Sequence, residues 1–270
     1  MKMSDSKVIL VTGASTGIGR ACAQYLGSRG YRVYGSSRRA SPEPVETGSF
    51  RMIRMDVADS PSVVRGVDEI LRTEGRIDAV FNNAGVHIVG PIEALSLEDI
   101  EASFQTNCIG AMRVCKAVLP SMRSQGGGSI INMSSAGGII ALPYQGAYSG
   151  SKFALEGMTE ALRAEVRHFG IRVSLIEPGD IRHQDCHKEA SSAKDYEPYL
   201  SNALRVGWSD EEKGYDPEKI GPLVERILSS PRPRLRYTFG PAYQSAAILL
   251  KRRLLPDRLG TWAIGAYYKT

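Results

Sequence analysis

The chain alternates short apolar runs with longer amphipathic stretches. Runs at 7–12 (KVILVT), 31–36, 51–55, 78–82, 128–134, 171–176 and 234–238 show little polar alternation, as parallel strands covered on both faces do. Between them, residues 18–29, 61–74, 97–119, 148–168, 217–229 and 241–254 repeat apolar positions at helical spacing. A βα series of this order predicts a doubly wound parallel sheet in a three-layer α/β/α sandwich, one domain spanning residues 1–270. The stretch from Ser36 to Phe50 (SSRRASPEPVETGSF) reads as a Ser- and Pro-rich loop, and the glycines after Gln125 stop a helix.

Past Gly179 the periodicity fades into a polar segment with room for short helices. It reads either as a surface insertion or as a substrate lid over 180–215, and its place beyond the C-terminal end of a strand favours the lid. Residues 239–270 form a C-terminal helical extension, in which AAILLKRRLLPDRLG mixes apolar residues with Lys251, Arg252 and Arg253. That tail packs on the core or a partner subunit, or lies as an amphipathic helix against lipid; the first is the leading expectation.

Composition narrows the class. A net charge of +5 over 270 residues could point to nucleic acid, but the basic residues are dispersed and no aromatic-interleaved groove pattern is present, so no nucleic-acid partner is expected. Without a secretory leader or a run of about 20 apolar residues, a cytoplasmic protein is expected. Cys22, Cys108, Cys115 and Cys186 lack paired C-x-x-C spacing and read as reduced packing residues. His183 and His187 stand i,i+4 beside Asp180 and Asp185, but metal binding would require them to converge on one helical face with another ligand, and no metal is expected.

Two motifs carry chemistry. The first strand runs into GASTGIG, Gly13 to Gly19, and then into a helix. Such a turn brings backbone N–H groups and a positive helix end toward a dinucleotide pyrophosphate, the hallmark of a Rossmann-type fold. Gly13 permits the turn, Gly17 allows close approach and Gly19 lets the helix pack near the sheet. The second motif is Tyr148 and Lys152, one helical turn apart, with Ser135 thirteen residues before the tyrosine. A phenol is a poor base near neutral pH, and a lysine one turn away is expected to pull its pKa down. Ser135 would then hydrogen-bond a substrate oxygen while Tyr148 exchanges a proton with it.

The ordered set resembles the short-chain dehydrogenase/reductase family over almost the whole chain: TGASTGIG at 12–19, Asp56 after the third strand, NNAG at 82–85, Asn107, Ser135 in NMSS, YSGSK at 148–152 and PG at 178–179. The resemblance implies that Ser135 positions a carbonyl, Tyr148 is the acid-base residue, Lys152 lowers its pKa and binds the nicotinamide ribose, and Asn107 anchors a water relay to Lys152. It further implies cofactor contacts at Gly13, Ser15, Thr16, Gly17, Ile18 and Gly19, at Asp56 and Val57, at Asn83, Ala84 and Gly85, and at Pro178, Gly179 and Ile181. The family usually has a threonine four residues past the glycine of PG, where this chain has His183.

Cofactor choice turns on the end of the second strand, where a carboxylate would select NAD. Here the sequence is YGSSRRAS, and Ser37, Arg38 and Arg39 predict NADP(H) through a charge-assisted phosphate contact. The apolar stretches Ala136–Tyr144 and Val86–Val89 predict walls for a hydrophobic ketone, aldehyde or alcohol, with reduction the favoured direction. The long tail is similar to the family branch holding 17-beta-hydroxysteroid and retinol dehydrogenases. Competing readings are a 3-oxoacyl thioester reductase and a non-catalytic dinucleotide sensor. The family resemblance implies a homodimer or homotetramer, with Phe153, Leu155 and Met158 divided between interface and core.

Overall fold

The computed structural model describes residues 6–182, 187–189, 194–241, 243, 244, 246, 250 and 257–269. Its main sheet has eight strands. In chain order these are β1 (Val8–Thr12), β2 (Arg32–Ser37), β3 (Val45–Thr47), β4 (Phe50–Arg54), β5 (Ala79–Asn82), β7 (Gly128–Met133), β8 (Ile171–Pro178) and β10 (Arg236–Phe239). Two three-residue strands, β6 (His87–Val89) and β9 (His187–Glu189), pair in parallel as a second small sheet. The main order is β10-β8-β7-β5-β1-β2-β4-β3, parallel throughout except for the β3 edge.

The helices are α1 (Gly17–Ser28), α2 (Ser60–Glu74), α3 (Leu97–Phe104), α4 (Ala111–Ser124), α5 (Gly146–Val166), α6 (Tyr199–Glu212), α7 (Ile220–Ser229) and α8 (Asp257–Tyr268). Alternate residues of the buried strands serve opposite faces. Ile9 and Val11 pack with Cys22, Leu26, Val224 and Ile227 of α1 and α7. Val8 and Leu10 pack with Val63, Val67, Val114 and Val118 of α2 and α4. Both faces are therefore covered, which is why the strands read as continuous apolar runs. No described helix is long and apolar enough to cross a membrane.

The seven parallel strands fall within two residues of expectation. Three departures matter. The segment read as loop after Ser36 contains β3, a short hairpin partner of β4. The single helix expected over 97–119 is α3 and α4 joined by a π turn, Gln105–Gly110. The polar region past Gly179 contains α6, a full 14-residue helix. Most of the helix expected over 241–254, together with His183 and Cys186, falls outside the described residues; Cys22, Cys108 and Cys115 are buried and free.

The chain enters the sheet at β1, builds outward through β2 and β4, then returns to the other side of β1 with β5. Strand order reverses there, and in a doubly wound sheet ligands bind in that crevice, outside the carboxyl ends of the strands. The motif residues Gly13, Ser37, Asp56, Asn83, Ser135 and Pro178 all follow or end strands at this edge.

Candidate active site

The glycine turn is built as expected. Gly13 has φ +67°, and a Cβ there would lie 2.8 Å from Ala84 Cα. A Cβ on Gly19 would lie 2.3 Å from the Gly13 carbonyl oxygen and 2.5 Å from Asn83 Nδ2, so only glycine lets α1 start this close to β1. Thr12 Oγ1 accepts from the backbone N–H of Asn83 and of Ala84, each at 3.0 Å, and Asn83 Nδ2 donates to the Thr12 carbonyl at 3.1 Å. NNAG thus locks the glycine turn to the end of β5. Gly17 has φ +52°, and its Cβ position meets nothing within 4 Å. Thr16 caps α1 without a side-chain bond, the first turn holds no acid, and Ser15, Thr16 and Gly17 are exposed, with Ile18 half-buried. Unpaired N–H groups, a positive helix end and open space above Gly17 form a cradle that fits a dinucleotide diphosphate.

At the end of β2, Ser36 is buried, and Ser37 Oγ accepts from Arg39 N at 3.3 Å. Arg38 and Arg39 are exposed. After β4, Asp56 Oδ1 accepts from Ala58 N at 2.9 Å, which makes Asp56 a turn former, while Val57 is buried and packs where a Cβ on Gly110 would be, 2.9 Å away.

Ser135, Tyr148 and Lys152 converge. Ser135 follows β7 and accepts at Oγ from Gly137 N, 3.0 Å away; that Oγ and the Tyr148 ring both border Gly137, 3.4 and 3.2 Å from where its Cβ would be. Tyr148 and Lys152 sit in the first two turns of α5, with the Lys152 amine 5.7 Å from the phenol ring centre. Lys152 is 4 % exposed and donates to the Met133 carbonyl at 2.8 Å. Burial pulls its pKa down to about 8, against opposing pulls from Cys108 and Glu156. Burial pushes the Tyr148 phenol up to about 12; the Ser135 bond pulls it down, and the carboxylates of Glu211 and Asp180 add to the rise. Desolvation of the half-buried ring is the largest influence on the phenol.

Asn107 is buried in the π turn. Its side chain occupies the π turn and clamps the strand after NNAG: Oδ1 accepts from Val86 N at 2.8 Å, while Nδ2 donates to Val86 O at 2.9 Å and to Ser151 Oγ at 3.0 Å. Through these bonds Asn107 ties the segment entering β6 to α5. Gly85 joins the two, since a Cβ there would lie 3.2 Å from Asn107 Oδ1 and 3.9 Å from Lys152 Nζ.

At the end of β8, Pro178 is buried; beyond it Gly179 N donates to Phe239 O at 2.8 Å, and Ile181, 3 % exposed, bridges to Tyr215. Sequence reasoning missed several contributors here. Gln244 clamps Asp180, accepting from its backbone N–H at 2.8 Å and donating to its carboxylate. Burial, with Asp210 and Glu211 adding repulsion, pushes Asp180 up to about 6. Another is His87, whose ring centre lies 4.4 Å from that of Tyr148 and whose Nε2 pairs with Gln145 Oε1 at 2.8 Å. No motif marks His87; only its place two residues past NNAG could have singled it out. An outer cleft beside it is lined by Pro91, Ile92, Pro143, Tyr144 and Tyr196, with the Tyr196 hydroxyl donating to Glu93 at 2.6 Å.

Comparison with known proteins agrees with this geometry. The short chain dehydrogenase family matches residues 7–195. A 3-ketodihydrosphingosine reductase of Bacteroides thetaiotaomicron is 38% identical over 267 residues, covering 97% of this chain and 98% of that protein. Human 17-beta-hydroxysteroid dehydrogenase type 1 is 31% identical over 255 residues, 85% of this chain and 76% of its own length. The crystal structure of a short-chain dehydrogenase from Streptomyces avermitilis superposes with a TM-score of 0.84 at 29% identity, covering 97% of this chain and 98% of that one. The chain belongs to the short-chain dehydrogenase family and is an oxidoreductase that uses a nicotinamide dinucleotide on a carbonyl/alcohol pair.

Proposed function

We propose that this protein reduces a lipophilic ketone or aldehyde to its alcohol with NADPH. The observation that carries the reading is the Ser135–Tyr148 hydroxyl pair at the carboxyl edge of the sheet, beside the glycine-turn cradle. A bound nicotinamide supplies the hydride for the carbonyl carbon. Ser135 and Tyr148 direct their hydroxyls at the carbonyl oxygen, where negative charge grows, and Tyr148 gives up its proton there. A phenol raised to about 12 is protonated near neutral pH, which suits donation and so the reducing direction. Lys152 is the buried cation that stabilises the phenolate left behind and holds the nicotinamide ribose; Asn107 anchors a water relay to Lys152, through its place in the π turn.

Arg38 and Arg39, exposed where an NAD-selective carboxylate would stand, support NADPH over NADH. The apolar outer cleft and the near full-length likeness to a 3-ketodihydrosphingosine reductase support a substrate with a long apolar part, more than the partial likeness to the hydroxysteroid branch does. Residues 180–215 act as the lid. On α5, Leu155 is core while Phe153 and Met158 are 44% and 46% exposed, which supports a homodimer or homotetramer through that helix.

The test is NADPH oxidation with ketosteroids, retinals, aliphatic ketones, 3-ketodihydrosphingosine and 3-oxoacyl thioesters, for wild type, Tyr148→Phe and the double variant Arg38→Ala, Arg39→Ala. A long-chain ketone is expected to turn over best. Tyr148→Phe should lose roughly 10²–10⁴-fold in kcat, and the arginine variant roughly 10- to 100-fold in NADPH affinity with NADH affinity unchanged. Turnover of thioesters alone, or equal losses for both cofactors, would overturn the substrate and cofactor readings respectively.

A further inference from the structure

The outer face of α8 has no partner among the described residues. Leu259 and Trp262 are 56% and 72% exposed, and Ala263 and Ala266 are exposed as well. These positions, spaced i, i+3, i+4 and i+7, form one continuous stripe on the helix. One flank of the stripe holds α8 in place: Gly260 is buried, and the Tyr267 hydroxyl donates to Asp210 of α6 at 2.5 Å. The stripe is thus presented outward by a docked helix, with an indole at its centre.

Charge selects the occupant. From residue 251 to the C-terminus the sequence has five basic residues, Lys251, Arg252, Arg253, Arg258 and Lys269, against one acid, Asp257. Arg258 and Lys269, at the two ends of α8, are exposed. A second copy of this face would bring like charge against like charge, whereas an anionic lipid surface complements it. An apolar stripe with an exposed tryptophan, flanked by cations and too short to span, is the equipment of a helix that lies in the headgroup plane.

We propose that α8 is a peripheral docking surface for an anionic phospholipid bilayer. The helix is tied to α6 by the Tyr267–Asp210 hydrogen bond, so docking places the bilayer against this side of the molecule. Binding to lipid stands without any assumption about substrate; delivery of a lipophilic ketone from the bilayer rests on the function proposed above.

The full-length protein would be sedimented with vesicles of phosphatidylcholine alone or mixed with phosphatidylserine. Wild type is expected to bind the mixed vesicles, salt-sensitively, and the neutral ones weakly. Leu259→Ser with Trp262→Ser should weaken partition about tenfold or more, and Arg258→Glu with Lys269→Glu roughly fivefold or more per residue. Because a variant could lose its fold, the native helix gives a second readout. The chain has two tryptophans; in Trp208→Phe protein the Trp262 emission should shift to the blue on adding mixed vesicles. No sedimentation and no shift overturn the proposal. So does a self-association, seen by light scattering without lipid, that the Leu259 and Trp262 variant abolishes, since the stripe would then be covered by a second copy. Neither readout involves turnover, so failure here is distinct from failure of the reductase reading.

Discussion

At the residue scale, the acting phenol is set by what surrounds it. His87 packs its ring on Tyr148 and is fixed by Gln145, so it holds the phenol's orientation without touching the reacting oxygen. An aromatic pair is worth about 0.5–1.5 kcal/mol, so His87→Ala is expected to lower kcat roughly 2- to 12-fold with little change in cofactor affinity. His87→Phe, which keeps the ring and loses the nitrogen, should restore most of it; a phenylalanine variant as slow as the alanine one would show that ring contact is not the point. Asp180 gives a pH-dependent test. Its carboxylate raises the Tyr148 pKa, so Asp180→Asn should lower that pKa and move the rise of alcohol oxidation to lower pH. Asp180 itself is held up at about 6 by burial. Its contribution to stability is therefore fully present below its unfolded value and lost as pH rises through about 6. Asp180→Asn should consequently raise Tm above about pH 7 and leave it unchanged below about pH 4. Ser135, Tyr148 and Lys152 were legible in the sequence because their spacing and order are local. His87, Gln145 and Gln244 were not, because each acquires its meaning only from a neighbour brought in by the fold.

At the element scale, the parallel strands were legible because burial on both faces leaves uninterrupted apolar runs. The elements that escaped are those periodicity cannot show. β3, β6 and β9 have three residues each, too few for a pattern. The π turn hides inside the 97–119 stretch because one extra residue per turn barely disturbs a helical spacing of apolar positions. Its consequence is large: it aims Asn107 at both backbone groups of Val86. Asn107→Ala would take a partner from the half-buried Val86 N–H and carbonyl, at about 1 kcal/mol each. A Tm loss matching a total of about 2 kcal/mol is expected by thermal unfolding, whereas Asn107→Asp, which keeps the acceptor for Val86 N, should recover part of it. If alanine and aspartate variants melt alike, the Val86 N–H contact is not what the residue supplies.

At the scale of the whole molecule, the sheet must close on its last parallel strand, and a buried charge cluster does this. Arg236 of β10 reaches Glu156 at 3.0 Å and Glu160 at 2.8 Å on α5, and Glu177 at 3.3 Å on β8. Glu156 and Glu177 are 5 % and 0 % exposed, so the arginine compensates carboxylates that water cannot reach. Burial already raises the Glu156 carboxyl, with Glu177 adding to the rise and Ser134 and Arg236 opposing it. Arg236→Met would keep the packing volume but take the guanidinium away from those acids, and breaking a buried pair this way costs about 3–5 kcal/mol. Without the guanidinium the folded-state pKa of Glu156 should climb further. A raised carboxyl contributes stability below its unfolded pKa and loses it as pH rises, so the variant should melt far below wild type near neutral pH and recover part of the gap in acid. The cluster also reaches the chemistry. Glu156 lies one helical turn beyond Lys152 and favours its charged form, so in Arg236→Met protein, where the Glu156 carboxyl gives up its charge more readily, that support weakens and the Lys152 pKa should fall below about 8. The loss of reductase activity with rising pH should then begin earlier than in wild type, measured at a temperature where both proteins are folded; a pH profile unchanged beside a lowered Tm would confine Arg236 to closing the sheet.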